Sequence, residues 1–310
     1  MTTPKVSIIV PIFNADMYLT ECLSSICNQT LHDIEIICIN DGSTDDSTAI
    51  IKKFCAQDSR VKFIDQQNLG PCKTRKNGII HASGEYIGFV DSDDYIDSRF
   101  FERLYTAACR EQADIAVTTE IFPFDDHHIF PKKDSGFGER KKDLTVHERV
   151  KLFLRTGVPW NKIYKNELCV RVLPYYIVEE KMGEDSLLTI PSLIMANKVT
   201  LITDSAYFYR QHSSSICHTP ITRENIFNLY KSYNSFIEKV HRLDITKKSD
   251  LYIYIKAIKR RRNWDCFHLS EQHSSISEQI NLLLQTKDRQ FQTAFLARKI
   301  RNILKYTVKK

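Results

Sequence analysis

Three strand-sized apolar runs, each stopping at a polar cluster, constrain the first 120 residues more than any other feature of the chain. Val6–Val10 ends at Pro11–Asn14, Glu35–Ile39 at Asn40–Asp46, and Tyr86–Val90 at Asp91–Asp94; Val61–Ile64 is a fourth, shorter run. Between them lie segments of helical periodicity. One covers 15–28 through Tyr18, Leu19, Cys22, Leu23 and Ile26, and another runs from a cap at Thr44 or Asp45 to about Gln57. A third spans Pro71 to His81 with Gly84 as its C-cap, and a fourth runs from about Asp97 to Glu111. Near-continuous apolar strands alternating with amphipathic helices predict an α/β fold whose mostly parallel sheet is covered on both faces. Ligands bind such sheets beyond the carboxyl ends of the strands. If these strands are neighbours, the three polar clusters line one crevice.

Beyond residue 120 the pattern changes. Residues 122–145 read as irregular, with loop character at Asp125–His128 and Lys132–Gly138. From 146 onward it is mainly helical with short strands; 146–155, 222–243, 249–270 and 276–306 have helical spacing. The 310 residues suffice for two domains. No apolar run reaches the 18 residues of a membrane span, and no signal-peptide pattern opens the chain, so the expectation is a cytoplasmic protein. Nine cysteines without a CxxC pair or a zinc-like cluster fit a reducing compartment, with Cys38, Cys55 and Cys109 read as small buried hydrophobes.

Charge divides the chain. Residues 201–310 carry 20 Lys/Arg against 9 Asp/Glu, leaving 24 against 29 for residues 1–200. The densest basic segment is Lys259–Arg262, followed by a tail from Arg289 to Lys310 with seven Lys/Arg and no acid. That tail reads either as an amphipathic helix on an anionic membrane surface or as a helix packed on its own domain. No RNP-like aromatic motif or helix-turn-helix accompanies the charge, which argues against nucleic acid.

The Asp91-Ser92-Asp93-Asp94 cluster puts carboxylates on a tight turn at a strand end. Mg²⁺ and Mn²⁺ take oxygen ligands, commonly one or two carboxylates plus substrate phosphates. The cluster reads as a metal site that bridges protein to a diphosphate, or else as a turn with helix-capping aspartates. No G-x-G-x-x-G follows the first strand and no P-loop motif occurs, so a phosphate-bearing ligand needs a metal in place of a glycine cradle.

Together, Val6–Asn14 (VSIIVPIFN), Asn40–Ser47 (NDGSTDDS), the run from Asn68 through Arg75 to Gly78, and Asp91–Asp97 (DSDDYID) resemble family 2 of the inverting glycosyltransferases. The resemblance continues through Trp160–Tyr164 (WNKIY), Gly183-Glu184-Asp185 and Tyr209-Arg210-x-His212, covering roughly residues 4–216. It implies a GT-A-like nucleotide-binding domain over 1–216, with a nucleotide half to about 120 and an acceptor half over 121–216. A helical, basic region, 217–310, follows. One departure stands out: the family usually has Asn and then a small residue after Arg75, where this chain has Lys76 and Asn77.

Carried over position by position, the resemblance implies that Pro11 and Phe13 border the nucleobase and that Asp41 accepts from the uracil imide N–H. Asn68, Arg75 and Ser92 fall among the nucleotide-sugar contacts, and Asp91 lies near the ribose. Asp93 would ligate Mn²⁺ or Mg²⁺, with His212 as a further ligand or an ordinary loop histidine. Arg210 would close over the pyrophosphate. Asp185 matches the general base, with its neighbour Glu184 as the alternative. Trp160 and Tyr164 read as core aromatics, one of which could form a sugar-stacking wall.

The implied reaction moves a sugar from a UDP-sugar to a hydroxyl of a glycan or lipid-linked glycan, at the inner face of a membrane. Two other classes stay open. A sugar-phosphate nucleotidyltransferase would want a glycine- and basic-rich loop after the first strand, which Pro11–Ala15 lacks. A non-catalytic nucleotide-sugar or glycan binding module would not need Asp185.

Overall fold

A computed structural model describes residues 3–132, 134–176, 184–212, 223–241, 248–273, 286, 288 and 290–298. The chain divides into two compact units, residues 1–215 and 216–310.

The first unit is built on an eight-stranded mixed sheet. In chain order its elements are β1 (Val6–Ile12), α1 (Asp16–Cys27), β2 (Ile34–Asp41), α2 (Ser47–Gln57), β3 (Val61–Gln66), α3 (Pro71–His81), β4 (Tyr86–Phe89), β5 (Tyr95–Ile96) and α4 (Phe100–Glu111). There follow β6 (Ile115–Phe124), α5 (Val146–Thr156), β7 (Lys162–Lys165), α6 (Asn166–Val172), a 3₁₀ turn at Leu173–Tyr175, α7 (Glu184–Met195) and β8 (Val199–Arg210). The strand order is β3-β2-β1-β4-β7-β6-β8-β5.

Strands β3, β2, β1 and β4 are parallel, in register Ile8↔Ile36 and Ile8↔Gly88. Strand β7 pairs antiparallel with both β4 and β6, and β6 runs parallel to β8. Ile8, Ile9, Val10, Ile36, Ile37 and Cys38 are fully buried. Each such aliphatic side chain removed from water contributes roughly 1.5–3 kcal/mol. Because β1, β2 and β4 are neighbours, the polar clusters at their carboxyl ends do meet on one edge.

Several local expectations need correction. Helix α2 begins at Ser47, after the proposed caps Thr44 and Asp45. Asp45 instead accepts from the Asp16 and Ser47 N–H groups, joining the loops after β1 and β2. Helix α4 begins at Phe100, and Asp97 turns the chain ahead of it by accepting from Arg99 N (2.8 Å). Gly84 does not cap α3, whose C-cap is Ala82. A Cβ at Gly84 would lie 2.7 Å from Ser7 N, so glycine is required by close backbone approach. Cys109 is exposed and Cys55 half-buried, and the eight described cysteines are free thiols.

The second unit contains α8 (Arg223–His241) and α9 (Lys248–His273), with a further helical stretch over 290–298. Tyr233 donates to Asp265 (2.7 Å) across α8 and α9, and Phe236, Ile258 and Phe291 are buried. Among the described residues no helix is long and apolar enough to cross a membrane. Residues 276–285, 287, 289 and 299–306 of the last expected helix, and residue 289 and 299–310 of the basic tail, lie outside the described residues.

Candidate active site

The loop after β4 folds back on itself, Asp94 N donating to Asp91 O (3.1 Å). Its four residues face different ways. Asp94 is buried, accepting from Tyr207 Oη (2.8 Å) and Arg210 N (2.8 Å). Burial and the neighbouring Asp93 and Asp91 push its carboxyl well above the usual range. Tyr207 Oη also accepts from Asp91 N (3.2 Å), so one phenol fixes both ends of the turn. Trp160 stacks on Tyr207 at 4.1 Å. Trp160 and Tyr164 are both buried, which makes them core aromatics rather than a sugar wall.

Arg75 is the hub of the site. Helix α3 starts with Pro71, whose fixed φ suits a first helical turn, and this helix buries Arg75 against the sheet. Its Nη2 donates to Asp91 Oδ1 (2.9 Å), and its Nη1 pairs with Asp185 Oδ1 at 3.0 Å. One buried guanidinium therefore joins the acidic loop to the first turn of α7, 94 residues further along the chain. Both carboxylates keep a partly exposed face, 23% for Asp91 and 30% for Asp185. Burial raises the Asp91 carboxyl to about 6 although Arg75 acts to lower it. The side chain of Glu184, the alternative base, lies outside those described.

Asp41, at the end of β2, has its Oδ1 filled by protein donors and its Oδ2 holding one. It accepts from Gln66 Nε2 (2.7 Å), Leu69 N (2.8 Å) and Gly70 N (2.9 Å), anchoring the loop that leads into α3. Asn77, where the chain departs from the family pattern, donates to Gln66 Oε1 (2.7 Å) and so braces the same loop. A carboxylate oxygen accepts about two hydrogen bonds, so Oδ2 retains room for a ligand donor. Gly42 has φ +75°, and a Cβ there would lie 2.8 Å from Asn68 N. Asn68 is exposed at this mouth. Phe13 is 49% exposed after β1, with Pro11 half-buried inside that strand. Asn14, at φ +47°, accepts from Thr44 N (2.8 Å) and locks the two loops together.

On the far side of the acidic loop, Arg210 at the end of β8 is buried. Its Nε donates to Asp93 O (2.9 Å), Nη1 to Asp126 (3.0 Å) and Nη2 to Glu21. The guanidinium also lies over the rings of Tyr18 (4.5 Å) and Phe124 (4.4 Å). His212 Nε2 donates to Asp93 Oδ2 (2.9 Å), and its ring leans on Tyr18 at 4.9 Å. Tyr18, Glu21, Asp126 and Tyr207 are thus part of the site although no sequence motif marks them for it, whereas Asp94 belongs to the acidic cluster that the sequence singles out. Tyr18 and Glu21, three apart on α1, carried a legible helical spacing; the others had none.

Lys162, within the WNKIY segment, is fully buried. It donates to Val158 O (2.5 Å), Thr156 O (3.3 Å) and Asn161 Oδ1. Burial pulls its ammonium down to about 7, with nearby Asp185 acting in the opposite direction.

An α/β crevice that gathers carboxylates, a buried arginine and an exposed aromatic at parallel strand ends defines a glycosyltransferase once its relatives are compared. Residues 7–169 match the model of the family described as glycosyl transferase family 2, and the chain belongs to that family. It is 32% identical over 259 residues to the uncharacterized glycosyltransferase EpsJ of Bacillus subtilis (strain 168), covering 81% of this chain and 75% of that protein. It is 36% identical over 224 residues to glycosyltransferase GlyA of Streptococcus pneumoniae serotype 4 (strain ATCC BAA-334 / TIGR4), covering 68% of this chain but only 31% of that longer protein. Among solved structures, S. aureus TarS 1-349 in complex with UDP superposes with TM-score 0.74 at 23% identity, covering 90% of this chain and 78% of that one. The likeness to TarS shows that the GT-A fold is shared.

Proposed function

We propose that the chain transfers a glycosyl group from a UDP-sugar to a hydroxyl of a glycan or lipid-linked glycan, with inversion at the anomeric carbon. The observation that carries this reading is the shared grip of Arg75 on Asp91 and Asp185, which brings the acidic loop and the candidate base to one place. The UDP in the TarS crystal supports the choice of nucleotide.

In the proposed reaction the acceptor oxygen bonds to the anomeric carbon as the bond from that carbon to the diphosphate oxygen breaks. The acceptor proton passes to an oxygen of Asp185, whose partly exposed carboxylate is open to an incoming hydroxyl. General-base assistance of this kind supplies about 10²–10⁴ in rate. Phe13 offers a face for the base, and Asp41 offers the free position on Oδ2 to the uracil N–H.

Asp93 and His212 would hold a divalent cation by exchanging their 2.9 Å hydrogen bond for two ligand bonds, the imidazole proton moving to Nδ1, and a hard cation would complete its shell with water and phosphate. Mn²⁺ or Mg²⁺ held there would supply positive charge against a departing diphosphate. Arg210 would have to exchange Asp126 or Glu21 for phosphate before it could contact the donor.

The test is a panel of nucleotide-sugars monitored by UDP release with and without Mn²⁺. Release from a UDP-sugar, lost on chelation and restored by Mn²⁺, is expected. Turnover that ignores chelation would remove the role given to Asp93 and His212, and release from another nucleotide-sugar alone would replace UDP.

A further inference from the structure

The basic run Lys259–Arg262 divides into two pairs with different fates. Arg261 pairs with Asp265 (2.9 Å) and Arg262 with Asp288 (3.2 Å), and Arg262 also stacks on Tyr230 at 4.8 Å. These two guanidinium groups are consumed within the second unit. Lys259 and Arg260, with Lys256 one turn earlier, form no ion pair among the described residues. Like charges three and four residues apart on a helix repel one another, and nothing described here offsets that repulsion.

These cations line a groove of about 590 Å³ between α9 and the 290–298 stretch. Arg298 lines it from the other side, its guanidinium 3.8 Å from the centre of the Trp264 ring. Tyr252 and Trp264 share the lining and are 67% and 47% exposed. Phe267 and Phe295, in edge contact at 4.9 Å, close its floor. No described lining residue is acidic. The volume falls within the ~300–1,000 Å³ of small-ligand clefts, where a few placed polar groups accompany an aromatic lining.

We infer that this groove binds an acidic glycan, a chain whose phosphate or carboxylate groups meet Lys256, Lys259 and Arg260 while its sugar or polyol units lie against Tyr252 and Trp264. A bilayer is the poorer match. Amphipathic helices meet lipid with a protruding apolar face and a basic rim, whereas here the charge lines a concave cleft and the aromatics stand among it. The groove is lined by residues of the second unit, and the inference does not depend on the donor assigned to the first.

The experiment titrates the full chain with an oligogalacturonate, a neutral glucan oligomer of equal length, and vesicles of phosphatidylglycerol in phosphatidylcholine, following tryptophan fluorescence and sedimentation. The acidic oligomer is expected to bind, more weakly as salt rises, while the neutral oligomer and the vesicles do not. Lys259→Glu with Arg260→Glu should weaken binding at least about tenfold, as the loss of charge-assisted contacts requires. The melting temperature and UDP binding of this variant should stay unchanged, because neither side chain has an ion-pair partner among the described residues. Arg261→Gln, which breaks the Asp265 pair, should lower the melting temperature and leave binding intact. Equal binding of neutral and acidic oligomers, unaltered binding by the double variant, or capture by vesicles alone would each overturn the assignment.

Discussion

Replacing Arg75 tests the architecture of the crevice by removing the cation that Asp91 and the proposed base Asp185 share. The side chain makes a charge-assisted hydrogen bond at 2.9 Å to Asp91 and an ion pair at 3.0 Å to Asp185, from a position only 5% exposed. Each such contact contributes about 1.5–3 kcal/mol when dry. Solvent reaches 23% of Asp91 and 30% of Asp185, which roughly halves those figures. Arg75→Gln should therefore cost about 2–3 kcal/mol, since it also leaves two carboxylates without their shared cation. For a unit of this size that corresponds to a fall of roughly 4–12 °C in melting temperature. Arg75→Lys, which keeps the charge but loses the fork, should cost about half as much. The decisive assay is a double-mutant cycle by thermal or urea denaturation with Asp91→Asn, without nucleotide. If the contact is as described, the two changes together cost less than their sum by about 1 kcal/mol or more. Strict additivity, or an Arg75→Gln protein that melts like the parent and releases UDP at the parental rate, would refute the assigned hub.

Asp91 gives a pH dependence of defined sign. Its carboxyl is raised to about 6 in the folded protein, so between pH ~4 and ~6 the folded state holds a proton that the unfolded chain has released. That contribution makes the unliganded protein lose stability as pH rises through this window, by at most roughly 3 kcal/mol. Melts of the parent and Asp91→Asn across pH 4–7 should differ by this slope, and parallel curves would contradict it. Gly42→Ala places a Cβ 2.8 Å from Asn68 N at φ +75°; calorimetry should show at least about 1–2 kcal/mol of lost stability and weaker UDP binding. An unchanged melt would show that the loop is not held as described.

The legible part of the fold was the part whose signal is local. Pro71–His81 and the buried runs of β1, β2 and β4 could be read because period and punctuation lie within a dozen residues. Strands β6 and β8 were harder. Thr118, Thr119, Thr200 and Ser205 are polar yet buried within them, so the sequence there has no clean alternation. At the site, Arg75 and Asp185 on one side and Arg210 and His212 on the other make contact with Asp91 and Asp93 of one loop, directly or through a shared partner.

What could not be read were partners far apart in the chain. Tyr207 meets Asp94 across 113 residues, and Arg210 meets Glu21 across 189. Asp41 shows the same limit, because its loop donors Leu69 and Gly70 are backbone groups that no side-chain pattern announces.

Asp185→Asn separates chemistry from binding. Isothermal titration with UDP and Mn²⁺, run beside a transfer assay on the same preparation, should show a nucleotide affinity close to that of the parent and transfer reduced about 10²–10⁴-fold. A variant that still transfers sugar at the parental rate, or one that loses UDP binding and transfer together, would contradict Asp185 as the group that takes the acceptor proton.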